Sequence, residues 1–488
     1  MSTNSERIFG GYVTRRLFRC DVARALEVSA AAELPPHTLM QRAGLAVARL
    51  ALAVAPHARM IWVPCGPGNN GGDGFEAARH LKIWGKSPVV TCLGAAERLP
   101  ADAAAAYAAA VQSGVTFADA VPAQYDLCMD ALFGIGRLRA FDARCSEWIA
   151  QINTHTAPVI AVDVPSGLDA DTGVAGPLHV KADVTVSLLT LKPGLFTADG
   201  RAACGDIWFD SLGVAEPIGA CAELHAVAQI ATRAYGAHNT HKGSYGDVAV
   251  VGGQQGMAGA ALLAARAALH GGAGRVLVGL LDGAPFPLDF CQPELMLRSL
   301  PDLDFTAMTV VAGCGGGGAI HAHMEKILAQ SRQLVLDADA LNAIACDASL
   351  QNGLRNRRDR RECVTVLTPH PLEAARLLGM DTVEIQANRL EAACELAQKF
   401  SCTVVLKGSG SVIAAPGKLP RINASGNARL ATAGTGDVLA GLIGARLATG
   451  DEGFSAACDA VYLHGKAADN WPGSLSATLT AHTLALSL

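Results

Sequence analysis

The chain has 488 residues, half of them hydrophobic, 17% charged and 5% aromatic, with a net charge of −5. That length exceeds one ordinary core and predicts two large domains. The slightly acidic balance excludes a polyanion-binding surface, so no nucleic-acid partner is expected. Fourteen cysteines lie scattered, without C-x-x-C or any metal-ligand spacing. They read as reduced and cytoplasmic rather than as a disulfide framework. The polar start, M-S-T-N-S-E-R-I-F-G, has no apolar h-region, so no secretion signal is expected. The most apolar stretch, 257–281, is interrupted by Arg266, His270 and Arg275. No membrane span is therefore expected.

Residues 15–55 read as helical, from Leu17, Val22, Leu26 and Val28 and then Leu39, Ala43, Ala46, Val47 and Leu50. A strand at 60–63 runs into G-P-G-N-N-G-G-D-G at 66–74, read as a Gly-rich loop, and a helix follows over 75–84. A strand at 88–93 and an Ala-rich helix at 101–112 come next. A strand at 125–129 ends at Asp130, and 143–153 is helical. A strand at 159–162 ends at Asp163, and another covers 183–188. Alternating β and α segments imply right-handed crossovers and a parallel sheet. Asp73, Asp130 and Asp163 then fall at strand C-terminal ends, the edge where open α/β sheets bind ligands.

Periodicity weakens from 216 to 239, which places the boundary between domains 1–222 and 223–488. Strands are expected at 248–251, 275–280, 309–312, 334–336, 364–367 and 403–406. Helices are expected at 258–269, 371–378, 382–399, 438–448 and 456–470.

Several clusters carry chemistry, and each has a plain structural alternative. A-T-A-G-T-G-D at 431–437 precedes the apolar run 438–443. A Gly-rich turn opening a helix aims backbone N–H groups and the positive dipole end at one point, which suits phosphate. Asp437 beside a bound anion is tolerable if it takes a proton from an attacking hydroxyl or holds a metal. Asp337 and Asp339 follow a strand end and are equally readable as helix caps. Thr-Pro-His-Pro at 368–371 is readable as a Pro-stiffened helix start, with His370 at the surface. Lys407-Gly408-Ser409-Gly410 reads more simply as a solvated turn than as a phosphate contact. His241-Lys242-Gly243 is equally readable as a solvated loop. In the first half, Asn69, Asn70 and Asp73 among glycines allow close approach to a ligand. The loop lacks both G-x-G-x-x-G spacing and a Walker lysine. Asp130 in D-A-L-F-G-I-G and Asp163 in D-V-P-S-G-L-D could each be a local cap. Together with Asp73 they read as one site, whose oxygen donors suit a hard cation.

These strings together resemble the bifunctional NAD(P)H-hydrate repair enzyme family over nearly the whole chain. The first half resembles its epimerase through L-M-Q-R-A-G, G-P-G-N-N-G-G-D-G-F-E-A-A-R-H-L, D-A-L-F-G-I-G and D-V-P-S-G-L-D-A-D-T-G. The second half resembles its ADP-dependent dehydratase through H-K-G-S-Y-G, G-M-A-G-A, L-D-A-D-A-L-N, T-P-H-P-L-E-A-A-R-L-L-G, L-K-G-S-G and N-A-R-L-A-T-A-G-T-G-D-V-L-A-G. The resemblance implies an α/β protein of two domains. The first is a Rossmann-like three-layer α/β/α domain and the second a ribokinase-like domain. It implies potassium held by Asn70, Asp130 and Ser166, the last through side chain or carbonyl. Asn69, Asn70, Gly71, Gly72 and Asp73, with Gly134, Ile135, Gly136, Arg137 and Asp163, would contact the hydrated dinucleotide. In the second half Ala260, Gly317, His370 and Asp437 would line the hydrate site. Lys407, Gly408, Ser409, Gly410, Ser411 and Gly436 would hold ADP with Mg²⁺.

Asp437 is expected to be the base of dehydration and Asp163 the acid/base of epimerisation. Two positions depart from the family. Gly313-Cys314-Gly315-Gly316-Gly317 replaces a G-P-G-L-G-like turn, and loss of the proline adds flexibility around Gly317. Glu76 replaces an aliphatic residue, and either repels substrate phosphate or faces solvent. Two alternatives stay open: a small-molecule kinase of the hydroxymethylpyrimidine or hydroxyethylthiazole type, and a first half that only binds. A homo-oligomer acting on small-molecule substrates is expected.

Overall fold

The first half's central strands are buried at nearly every position, alternate residues facing opposite sides, which demands a helical layer on each face. Ile61, Val63, Met129, Ile160 and Val162 join one core, while Trp62, Cys128, Val159 and Ala161 join another. Period-two side chains pointing to opposite faces produce this split. The computed structural model describes residues 5–8, 14–136, 140–225, 238–281, 288–360, 362–472 and 478–488. The chain divides into two compact units, at 223/224.

In the first unit the sheet order is Glu6–Arg7, Asp206–Asp210, Val184–Leu188, Val159–Val162, Leu127–Asp130, Met60–Cys65, Ser87–Cys92 and Thr116–Phe117. All neighbours run parallel except the first pair. Helices Thr38–Val54, Asn69–Ile83 and Ala101–Gln112 supply the first core with Val47, Ala78 and Ala106. Helix Ala143–Thr154 supplies the second with Trp148 and Ile152.

The second unit is arranged as Met296–Leu297, Arg275–Leu280, Asp247–Gly252, Thr309–Ala312, Gln333–Leu336, Val364–Leu367 and Thr403–Leu406, then antiparallel Val412–Ala414 and Arg421–Ile422. Helices Ala258–His270, Thr435–Ala448 and Gly453–Asp469 pack one face around Val250, Val278, Val311 and Ala440. Helix Thr435–Ala448 lies so close to its neighbour that a Cβ at Gly441 would sit 1.9 Å from the Ala264 carbonyl.

The structure alters three sequence expectations. The stretch 15–55 is a short strand, Arg15–Leu17, and two helices, Cys20–Glu33 and Thr38–Val54. Pro35-Pro36 interrupts the helical run, because proline removes a donor and restricts its predecessor. The Gly/Asn-rich stretch is not a loop but the opening of helix Asn69–Ile83. Its glycines serve packing: a Cβ would meet the Gly66 carbonyl at 2.1 Å from Gly71 and Ala131 Cβ at 2.5 Å from Gly74. The run 382–399 is two helices, Thr382–Ala387 and Arg389–Phe400, divided where Asn388 caps the second.

Candidate active sites

In each sheet the chain reverses its direction of progress at one point. In the first unit Met60–Cys65 and Leu127–Asp130 lie side by side, and later strands depart on opposite sides of them. In the second, Asp247–Gly252 and Thr309–Ala312 play that part. A crevice opens beyond strand C-terminal ends at such a point.

Asn69 to Asp73 form the first turns of a helix at the first crevice, with Gly68 as extended N-cap. The earliest N–H groups of a helix lack internal partners and favour an anion. Asp130 is fully buried. Its Oδ2 accepts the Ser166 N–H at 2.8 Å and its Oδ1 the Ser166 hydroxyl at 2.7 Å. Burial still lifts its carboxyl to about 6, against the restraint of the Ser166 bonds. The Asn70 Nδ2 is buried without a partner. A Cβ at Gly134 would lie 2.9 Å from Asn70 Oδ1 and 3.5 Å from Asp163 Oδ2, so Asn70, Gly134 and Asp163 converge.

Asp163 adopts φ +66°, a left-handed conformation costly for a residue other than glycine. Its Oδ1 accepts the Leu188 N–H at 3.0 Å and an ion-pair bond from Lys192. Lys192 is 1% exposed and donates a further bond to the Leu188 carbonyl at 2.8 Å. Sequence reasoning missed Lys192; the signal was a lysine inside the apolar run 188–196. It also gave helix Cys20–Glu33 no part in the site, though its Arg24 donates to the Ile135 carbonyl and its Glu27 accepts from Asn69 at 3.3 Å. Burial, then the Asp163 and Glu27 charges, push the Asp73 carboxyl well above the usual range. Arg137 lies outside the described residues. Glu76 does not face solvent: it is 2% exposed and paired with Arg79 and His80.

In the second unit Asp437 sits in the first turn of helix Thr435–Ala448, after Gly434 at φ +89°. Burial, then the Asp337 charge, raise its carboxyl to about 7. Beneath that turn, His464 contacts the Thr435 carbonyl at 2.9 Å, and burial lowers its pKa to about 4. Lys407 is no solvated lysine: its Nζ donates to Asp337 Oδ1 at 2.6 Å. Burial opposes the Lys407 charge, but Asp337 and Glu373 outweigh it and raise its pKa. A Cβ at Gly436 would lie 3.4 Å from Lys407 Nζ, so the glycine turn and the lysine adjoin. Gly408 and Gly410 both take positive φ. Arg389 fixes that loop from behind by donating to the Leu406 and Lys407 carbonyls. Ser409 is exposed and Ser411 half-buried, its hydroxyl donating to the Gly408 carbonyl at 3.2 Å.

Neither Asp337 nor Asp339 caps the helix that follows, whose N-cap is Ala338 at φ +48°. Asp337 pairs with Lys407, and Asp339 Oδ2 accepts the Gly317 N–H at 2.8 Å. That bond, and Gly313, Gly315 and Gly317 at positive φ, hold the turn without a proline. Ala260 Cβ lies 2.9 Å from where a Gly315 Cβ would stand. His370 caps helix Pro371–Leu378, its Nδ1 accepting the Leu372 N–H at 3.1 Å. Glu373 closes the capping box by accepting the His370 N–H at 2.7 Å. The sequence reading assigned Glu373 no role, though T-P-H-P-L-E spells this box. Its carboxyl is buried and raised to about 7, chiefly by burial.

Two α/β units, each with polar groups converging at its sheet's switch point, define a two-site α/β enzyme. Residues 248–488 match the family described as NAD(P)H-hydrate dehydratase, and 36–194 match that described as YjeF-related protein N-terminus. The chain is 38% identical over 451 residues to the bifunctional NAD(P)H-hydrate repair enzyme Nnr of Escherichia coli (strain K12), covering 89% of this chain and 85% of that one. It is 36% identical over 451 residues to the enzyme of the same name from Coxiella burnetii, covering 89% and 90%. Among solved structures, the ADP/ATP-dependent NAD(P)H-hydrate dehydratase from Bacillus subtilis, co-crystallised with ATP/Mg²⁺, is 31% identical with a TM-score of 0.44. It covers 52% of this chain and 90% of its own. The chain belongs to the bifunctional NAD(P)H-hydrate repair enzyme family. The expected α/β class holds for both halves, each built on a largely parallel sheet.

Proposed function

We propose that this chain returns hydrated nicotinamide dinucleotides to NAD(P)H, its first unit interconverting the C6 epimers and its second dehydrating the S epimer with ADP. The observation that supports it best is the Asp437 turn. A carboxyl at about 7 stands beside a glycine-opened helix start and a lysine paired to a second acid. A base poised near neutral pH next to an anion cradle suits proton removal coupled to phosphoryl transfer.

In that reaction Asp437 takes the C6 hydroxyl proton as the oxygen attacks the terminal phosphorus of ADP. AMP leaves, and backbone N–H groups around Gly434–Gly436 stabilise charge on the transferred group. The N1 lone pair then expels phosphate from C6, and loss of a C5 proton restores the dihydropyridine. Lys407 and Gly436 support the nucleotide. Magnesium, bound with it, would neutralise phosphate oxygens; the Asp337 carboxylate offers a hard oxygen donor of the kind it takes.

In the first unit, Asp163 keeps Oδ1 for Lys192 and turns Oδ2 toward Asn70 and Gly134, where C6 would lie. It assists hydroxyl departure and return on the opposite face, while N1 stabilises the intervening cation. The donors for potassium would be the Asn70 side-chain amide, Asp130 and Ser166. Asp130 is buried with no cationic side chain paired to it among the described residues, so a cation there fits. Potassium would offset that charge and order the loops around it.

The test follows NADH absorbance after an epimeric mixture of hydrates meets the full chain with ADP and Mg²⁺. Complete recovery, faster than spontaneous epimerisation and matched by AMP, is expected. A halt after one epimer removes the epimerase assignment. No recovery removes the dehydratase and returns the second unit to a small-molecule kinase.

A further inference from the structure

Cys314, Asp337 and Asp437 present one ligand atom each, all within 4.8 Å of one another, and form the one such His/Cys/Asp/Glu group of three among the described residues. They come from three separate places in the chain. Cys314 follows strand Thr309–Ala312, Asp337 follows Gln333–Leu336, and Asp437 stands in the first turn of Thr435–Ala448. The thiol is held in place. Gly313 takes φ +113° and Gly315 φ +59°, and the Gly316 N–H closes the turn on the Gly313 carbonyl at 2.9 Å. A Cβ at Gly313 would strike the Asp337 carbonyl at 1.9 Å, so the two strand ends are pressed together.

Asp337 divides its oxygens. Oδ1 accepts from Lys407 at 2.6 Å and from the Thr368 hydroxyl at 2.7 Å. Oδ2 faces the Cys314 sulfur at 3.9 Å. A cation between the three would therefore find Asp337 Oδ2, the sulfur and an Asp437 oxygen, without displacing Lys407. The charges balance as well: one thiolate, two carboxylates, one ammonium and a divalent ion sum to zero. Such balance matters where charge is buried. Three protein ligands with a fourth position open is the arrangement of a tetrahedral ion that still accepts water or an alcohol. A sulfur among the donors selects against Mg²⁺ and for a softer metal.

We propose that Cys314, Asp337 and Asp437 form a binding site for a thiophilic divalent cation of the zinc class, whose occupancy blocks Asp437 and so inhibits dehydration. On binding, the sulfur–hydrogen bond breaks, a sulfur–metal bond forms, and the proton passes to solvent. The binding half of the proposal stands on the three ligands alone. The inhibitory half rests on Asp437 being the dehydration base.

The test titrates the metal-free full chain with Co²⁺, and then Zn²⁺. A thiolate-to-cobalt charge-transfer band saturating at one equivalent is expected, bleached by Zn²⁺ and absent from Cys314→Ser. Serine keeps the shape of the side chain, and retained dehydration by that variant shows it is folded. Cys314→Ala serves if it is not. Zn²⁺ affinity should fall in the variant by at least the ~10–100-fold that losing even an outer-shell partner costs. Zn²⁺ should inhibit wild-type dehydration at concentrations that spare the variant. No saturable band, or an equal band in the wild type and the Cys314 variant, overturns the site. A band without inhibition overturns the blocking of Asp437 and leaves the binding standing. Normal dehydration by Asp437→Asn would instead sink the assigned base, a result the cobalt band does not depend on.

Discussion

Asp437 and Asp163 are both acids at strand or helix ends, yet their surroundings give them different work. Asp437 is lifted to about 7 by burial and by Asp337, so it holds a proton below neutrality. The kcat/KM of dehydration should fall below about pH 7, since that ratio reports groups of the free enzyme. Asp437→Asn should lose about 10²–10⁴-fold in dehydration while still binding nucleotide, a loss measured on the purified S epimer. Asp163, by contrast, is tied through Oδ1 to a buried lysine. Lys192→Met leaves that carboxylate without its partner, and breaking a buried pair typically costs about 3–5 kcal/mol. The expected outcome is a lower melting temperature of the first unit and slower epimerisation. In the Asp163→Asn background, removing Lys192 should slow the reaction little further. Additive losses in that double-mutant cycle would show that Lys192 acts independently of Asp163.

At the scale of elements, glycines decide how closely helices approach the sites. Helix Thr435–Ala448 carries Asp437, and Gly441 lets it reach the backbone of Ala258–His270. Gly441→Ala has no flexible neighbour to displace, only the Ala264 carbonyl. Overpacking of this kind costs typically about 1–3 kcal/mol, and denaturant unfolding should show at least that loss. Dehydration should suffer with it, because the helix carries the base. Asn388 divides the run 382–399 by accepting the Glu391 N–H at 3.4 Å. This also explains why that run reads as one helix in the sequence: its apolar spacing continues across the break. The Gly/Asn-rich opening of Asn69–Ile83 was misread for a related reason. Glycine predicts a loop by propensity, but here close contact with Gly66 and Ala131 outweighs the entropy it costs.

For the whole molecule, the two activities should respond to conditions separately. Replacing K⁺ by a large organic cation should slow epimerisation, because Asp130 is buried with no cationic side chain paired to it among the described residues. Dehydration of the purified S epimer should be unchanged. Acid has a second effect through Asp437 and Glu373, both raised to about 7 in the folded chain. Their ordinary values are near about 4. Between those limits the folded state binds more protons than the unfolded one. The stability these groups contribute is present below about pH 4 and lost as pH rises through about 7. The melting temperature of the ligand-free second unit should therefore fall between about pH 5 and pH 8, and fall less in Asp437→Asn, as thermal scans would show.

Local sequence was sufficient for the alternation of strands and helices, since period-two and helical spacing are properties of neighbouring residues. Strands Thr309–Ala312, Val364–Leu367 and Thr403–Leu406 were readable to the residue. So was the Gly434–Asp437 turn as the opening of a helix, whereas each strand-end acid taken alone read equally as a local cap. The partners were not readable. Nothing near Lys407 announces Asp337, 70 residues away, and nothing near Asp163 announces Lys192. Nor could spacing show that Cys314 would meet Asp337 and Asp437. Burial and charge pairing are set by which strand ends the sheet brings together, and only the tertiary structure decides that.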